Sequence, residues 1–146
     1  MYMPMEIRLT HKQKELLLAW TCKQVPVEVC GALFGIKREE ATIVKRVVAI
    51  PNILDSSSSF QVDPEKLYHH IMKAERDSIE LVGFFHSHPS SPEPSAIDLK
   101  YMRFWPSKVW LIISQLSGVM KAYKMDNDSI VEVETVFSNS FQKNSG

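Results

Sequence analysis

Between Phe84 and Asp98 the chain reads FFHSHPSSPEPSAID: an apolar entry, two histidines, three prolines, and a serine followed by an aspartate. No other stretch constrains the fold so tightly. Ile79 to His88 (IELVGFFHSH) is rich in branched and aromatic side chains and predicts a buried strand running into His86-Ser87-His88. Side chains alternate faces along a strand, so His86 and His88 point one way and Ser87 the other. Their Cα atoms then lie about 6.5 Å apart at roughly 3.3 Å per residue, which lets two imidazoles converge on one metal ion. Pro89, Pro92 and Pro94 each lack a backbone donor, so the strand cannot continue and the loop must turn back.

The loop ends at Ser95-Ala96-Ile97-Asp98, which fits a helix start with Ser95 as N-cap and Asp98 in the first turn. Two readings of Asp98 compete. In one it bonds back to the N-cap amide as half of a capping box and nothing more. In the other it is the third ligand of a zinc ion, kept ionised by the positive end of the helix dipole. The short capping pattern is common, but the two strand histidines just upstream favour the ligand. Two histidines and one carboxylate leave a fourth position for water, the arrangement of a catalytic zinc. Such a zinc lowers the pKa of its water from about 15.7 to around 7. A base must take that proton, and Glu28 in VEVCGALFG is the candidate, a charged residue at the head of an otherwise apolar strand. Taken alone, a glutamate there is more often a solvated strand start.

In this order the residues resemble the JAMM motif, also called MPN-plus or JAB, of zinc metalloproteases. Glu28 lies in its EVCGALFG run, His86-Ser-His88-Pro follows, Ser95 stands seven residues after His88, and Asp98 stands three after Ser95. The resemblance implies a curved mixed sheet flanked by helices, a fold shared with cytidine deaminases, and one zinc per chain held by His86, His88 and Asp98. It also implies that Glu28 accepts the water's proton and passes it to the leaving amine, and that Ser95 hydrogen-bonds the oxyanion. The implied substrate is the amide bond after the Gly-Gly tail of a ubiquitin-like modifier or a sulfur-carrier protein, reached by an extended tail. No histidine follows His88, so the second-zinc insertion of the linkage-selective members is missing. The chain is most similar to freestanding prokaryotic JAMM proteins.

Three other readings stand beside it. A non-catalytic MPN-type binding platform would have no chemical need for Glu28 or Asp98. A zinc nucleobase deaminase needs an H-x-E and PCxxC signature that Cys22 and Cys30 do not provide. A RadC-like protein shares the His-x-His-Pro signature, but lysine plus arginine equal aspartate plus glutamate at 17 each, which gives no pull towards nucleic acid.

The rest of the chain supplies the support. At 146 residues, 45% hydrophobic and 23% charged, it predicts one soluble domain over residues 1–137 and a polar tail over 138–146. No apolar run reaches the roughly 20 residues of a membrane span and no signal peptide is evident, so a cytoplasmic protein is expected, with a homodimer allowed. Met5 to Leu9 predicts a strand, and Thr10 with Gln13 a capping box opening a helix to about Cys22 whose core stripe is Leu16, Leu17, Trp20 and Leu18. Glu28 to Lys37 and Ala41 to Ile50 predict a hairpin; Pro51 to Ser59 a loop; Phe60 to Val62 a short strand; Asp63-Pro64 the start of a helix to about Asp77 with core face Leu67, Ile71 and Ala74. The helix from Ser95 ends near Phe104, and strands follow at Val109 to Gln115, Val119 to Met125 and Ile130 to Phe137. The sum is an α+β domain with a mixed, mainly antiparallel sheet carrying the site on its strand ends. Cys22 and Cys30 read as reduced, buried thiols, and a Cys30 thiol close to the metal is the lesser reading.

Overall fold

Three helices start where side chains can satisfy their orphan amides. In the computed structural model, which describes residues 6–53 and 61–140, Thr10 Oγ1 accepts from Gln13 N at 3.0 Å and Gln13 Oε1 accepts from Thr10 N at 2.9 Å. This box opens α1 (His11–Gln24) directly after β1 (Glu6–Thr10). Asp63 Oδ1 accepts from Glu65 N at 3.0 Å, and Pro64 fills the first position of α2 (Pro64–Arg76), where its missing N–H costs nothing. Ser95 caps α3 (Ala96–Phe104). The strands are β2 (Cys30–Lys37), β3 (Thr42–Ala49), β4 (Glu80–His88), β5 (Val109–Ser114), β6 (Met120–Asp126) and β7 (Ser129–Ser138). Residues 54–59 of the expected loop, Phe60 of the expected short strand and residues 141–146 of the tail lie outside the described residues. Val62 forms an isolated antiparallel bridge with Asn52.

The sheet is mixed and mainly antiparallel as expected, but it is not an open curved sheet. Its strand order is β1-β3-β2-β4-β5-β6-β7, and it closes into a barrel. The correction has one cause: β1 pairs in parallel with β7 along its whole length, from Glu6↔Glu134 to Thr10↔Ser138, and also with β3 at Ile7↔Thr42 and Arg8↔Ile43. A strand that bonds on both sides removes the two edges that an open sheet would leave. β2 and β3 form the expected hairpin, and β4 lies between β2 (antiparallel) and β5 (parallel).

Two apolar clusters follow from strand alternation. All seven strands feed the first, with Ile7, Leu33, Val44, Phe85, Leu111, Ala122 and Val133 among its residues, which makes it the barrel interior. Leu17 of α1 joins it, with Leu18 and Trp20 packed against it. The second lies on the outer face of β2, β4, β5 and β6, where Cys30, Phe34, Phe84, Trp110 and Ile112 are covered by Leu67 and Ala74 of α2 and Met102 of α3. Ile71 packs against this cluster as the α2 pattern predicted. The α1 pattern was less informative: Leu16 is 42% exposed, because three consecutive leucines span about 200° of a helix and cannot all face one core. Among the described residues no helix is long and apolar enough to cross a membrane.

The approach to the site depends on a glycine. A register shift between Leu33 and Phe34 marks a bulge opposite Leu81 to Gly83, and a Cβ on Gly83 would meet the Val109 carbonyl oxygen at 2.2 Å. Gly83→Ala must therefore push β4 from β5, and a loss of about 2–3 kcal/mol is expected in urea unfolding.

The thiols differ from each other. Cys22 is exposed, against expectation, because it lies on the solvent side of the last turn of α1, whereas Cys30 is fully buried with Sγ 3.4 Å from the Ile50 carbonyl. Burial, and then the Glu28 carboxylate, push the Cys30 thiol up to about 12, so it stays protonated at neutral pH. Iodoacetamide at pH 7.5, read by mass spectrometry, is expected to alkylate Cys22 and leave Cys30 untouched in the folded protein.

Candidate metal centre

β4 delivers the two histidines on its outer face and Ser87 on the inner one, as alternation requires. His86 is fully buried, and the His88 side chain is 12% exposed. The proline loop returns the chain to α3, whose first turn holds Asp98 over both rings. Asp98 Oδ1 lies 3.0 Å from His86 Nε2, Oδ2 lies 2.9 Å from His88 Nε2, and the two Nε2 atoms are 3.1 Å apart. The same carboxylate completes the capping box. Ser95 N donates to Asp98 Oδ2 at 2.9 Å and Asp98 N donates to Ser95 Oγ at 3.1 Å. The two readings of Asp98 are thus one geometry, in which the cap aims the carboxylate at the histidines.

The donor set fits a metal. Tetrahedral zinc with bonds of about 2.0–2.1 Å places its ligand atoms roughly 3.3 Å from each other, close to the three separations found here. Protonation alone serves these atoms poorly. If both Nε2 atoms carry a proton to Asp98, two N–H groups confront each other across 3.1 Å; if neither does, the lone pairs of two nitrogens and two oxygens crowd together. A cation between the three side chains relieves both.

Electrostatics divide the two carboxyls. Burial opposes ionisation of Asp98, but hydrogen bonds from His86 and His88 outweigh it and hold the carboxyl well below the ordinary carboxylate range. Burial lowers the pKa of His86, with Asp98 opposing; for His88, burial is outweighed by Asp98 and the group is raised. Glu28 is not a solvated strand start: it is 2% exposed and lies two residues ahead of β2 rather than within it. It offers a carboxylate oxygen within 4.8 Å of a ring nitrogen of each histidine. Its Oε1 is buried with no hydrogen-bond partner. Burial pushes its carboxyl up to about 7, with His88 pulling down and Asp98 pushing up. Glu28, His86 and His88 form one group of donors close enough to hold a metal, and Asp98 faces both rings from α3; Cys30 lies opposite His86 in register, with its thiol turned to the Ile50 carbonyl.

The structure brings Glu28, His86, His88, Ser95 and Asp98 to one place, and sequence reasoning missed what braces them. Ser87 Oγ accepts from Val29 N at 2.9 Å, Gln115 Nε2 donates to Val27 O at 3.1 Å and to Ser87 Oγ at 3.2 Å, and Asn52 Nδ2 donates to Glu28 O at 3.2 Å. A serine pointing into an apolar interior was a readable signal for Ser87. Gln115 sits in a turn and Asn52 in an isolated bridge, where an amide carries no signal of its partner.

Comparison with known proteins agrees with the geometry. The family described as prokaryotic homologs of the JAB domain matches residues 11–126. The desampylase of Pyrococcus furiosus is 41% identical over 112 residues, 75% of this chain and 76% of that one. The desampylase of Haloferax volcanii is 34% identical over 110 residues, 74% and 76% of the two chains. The probable TtuB-protein conjugate cleaving protease of Thermus thermophilus is 33% identical over 84 residues, 56% of this chain and 53% of that one. A protein of Desulfitobacterium hafniense, known from its solution structure, superposes with a TM-score of 0.84 at 32% identity, over 93% of this chain and 95% of the other. The buried histidine pair under a capping aspartate and the extent of these matches together place the chain in the prokaryotic JAB family.

Proposed function

We propose that this chain is a zinc-dependent isopeptidase that hydrolyses the amide bond after the Gly-Gly tail of a ubiquitin-like modifier or sulfur-carrier protein in the cytoplasm. The observation that carries the reading is the pairing of a three-ligand cluster with a second, buried carboxyl whose oxygen has no protein partner. The names of the relatives, two desampylases and a conjugate-cleaving protease, supply the substrate class.

His86, His88 and Asp98 are the zinc ligands. A zinc held there would supply Lewis acidity for the scissile carbonyl and would lower the pKa of a water to around 7. Glu28 takes the proton of the attacking water on its unpartnered oxygen and hands it to the departing amine. Burial raises this carboxyl above the ordinary carboxylate range, which makes it a better proton acceptor than an exposed glutamate. Ser95 Oγ already accepts from Asp98 N, and its own hydrogen remains to be donated to the oxyanion.

The surroundings suit an extended tail. The barrel is closed, so the tail is placed along the short bridge at Asn52 and Val62, which Asn52 ties to the Glu28 carbonyl. An apolar recess of about 150 Å³ lined by Phe84, Tyr101, Trp105 and Trp110 opens between α2 and α3, and the Trp110 ring lies 6.1 Å from that of His86. It is sized for one aliphatic side chain of the tail.

A linear fusion with a Gly-Gly junction is expected to be cut after the second glycine in the presence of zinc, and chelator should stop it. Glu28→Gln is expected to keep one zinc and lose hydrolysis, and full activity in that variant would remove Glu28 from the mechanism. Asp98→Ala should lose zinc as well, on dialysis against one equivalent. Ser95→Ala should cost about 1 kcal/mol of stability as a lost cap and on the order of a hundredfold in kcat as a lost oxyanion donor.

A further inference from the structure

Glu28 works from a segment that the sheet holds only at one end. β2 begins at Cys30, so Val27, Glu28 and Val29 stand ahead of it. Besides main-chain bonds from Ser87 to Val29 and from Val27 to Gln24, the segment is tied by the side chains of Ser87, Asn52 and Gln115. Gln115 is the one that also reaches the ligand strand. Its backbone N–H donates to His88 O at 2.7 Å, while its side-chain amide donates to Val27 O at 3.1 Å and to Ser87 Oγ at 3.2 Å. Ser87, between the two histidines, in turn accepts from Val29 N at 2.9 Å and its own N–H donates to Val29 O at 2.9 Å.

We propose that Gln115 is a positioning residue for Glu28, whose amide cross-ties the segment carrying the base to the strand carrying the two histidine ligands. The inference rests on Glu28 being the general base. Both hydrogens of the amide are used, one on each side of Glu28: directly at Val27 and, through Ser87, at Val29. Remove the amide and Val29 keeps its bonds to Ser87, but the Val27 carbonyl loses the tie that sets the distance between base and ligands. Proton transfer requires hydrogen-bond reach, so a small displacement there acts on the chemical step and leaves tail binding alone.

Gln115→Met keeps the length and removes both donors. The zinc-loaded variant is expected to bind one zinc, to lose kcat by about 10- to 100-fold, and to keep KM within about twofold on the Gly-Gly fusion. Hydrogen exchange of the Val29 amide, followed by NMR in the same protein, should quicken by about tenfold while amides in the middle of β2 are unchanged. Ser87→Ala removes the shared acceptor and should give the same pattern, with the double variant no worse than the poorer single one. It also stands in for Gln115→Met should that variant not fold. Unchanged exchange at Val29, a loss lying wholly in KM, or a variant that no longer holds zinc would each overturn the proposal. A wild-type chain that cuts no fusion would sink the proposed function instead, and the exchange measurement would still decide whether Gln115 sets the Glu28 segment.

Discussion

The Asp98 carboxylate is the polar contact that joins the two histidines of β4 to the start of α3. One oxygen faces His86, the other accepts both from the Ser95 amide and from the direction of His88, and the helix that begins there is held against β4. Each contact depends on the others. Without the capping box, α3 would not present its first turn to the strand. Without the two imidazoles, a carboxyl that is 3% exposed would lose the partners that keep it ionised. Its pKa is held low by those histidines, and its place at a helix N-terminus favours the same charge.

The site sits on β4, the middle strand of the seven, with β2 on one side and β5 on the other. Hydrogen-bonded on both sides, β4 carries His86 and His88 on a support that cannot slip by a residue without burying Ser87 where His86 stands. Glu28 is the contrast. It is buried with an oxygen left without a protein partner, an arrangement that costs about 1–3 kcal/mol and that an ordinary structural glutamate would not show. A site that must accept and return a proton needs such an oxygen, and the stability given up there is offset by two cores elsewhere.

How much of this was legible in the sequence depends on the range of the interaction. Caps are local, so Thr10 with Gln13, Asp63 with Pro64, and Ser95 with Asp98 were readable, as was the opposite facing of Ser87 between His86 and His88. The parallel pairing of β1 with both β3 and β7 was not, because a five-residue strand holds no record of partners more than thirty and a hundred residues away. Burial of neighbours within α1 depended on how the helix is rotated against the barrel, which left Leu16 and Cys22 outside. The proposed site residues were selected by their spacing and their resemblance to the JAMM motif, and they lie together in the fold. The amides of Gln115 and Asn52 were not, since their partners are backbone carbonyls that any residue could supply.

The central claim is that one zinc sits between β4 and α3, held by two imidazoles and the Asp98 carboxylate. Zinc-edge X-ray absorption on the chain loaded with one equivalent tests it most directly. The account predicts stoichiometric zinc in a shell of two imidazole nitrogens and oxygen donors at about 2.0–2.1 Å, with no sulfur. A sulfur scatterer at about 2.3 Å, or a chain that takes up no zinc, would contradict it.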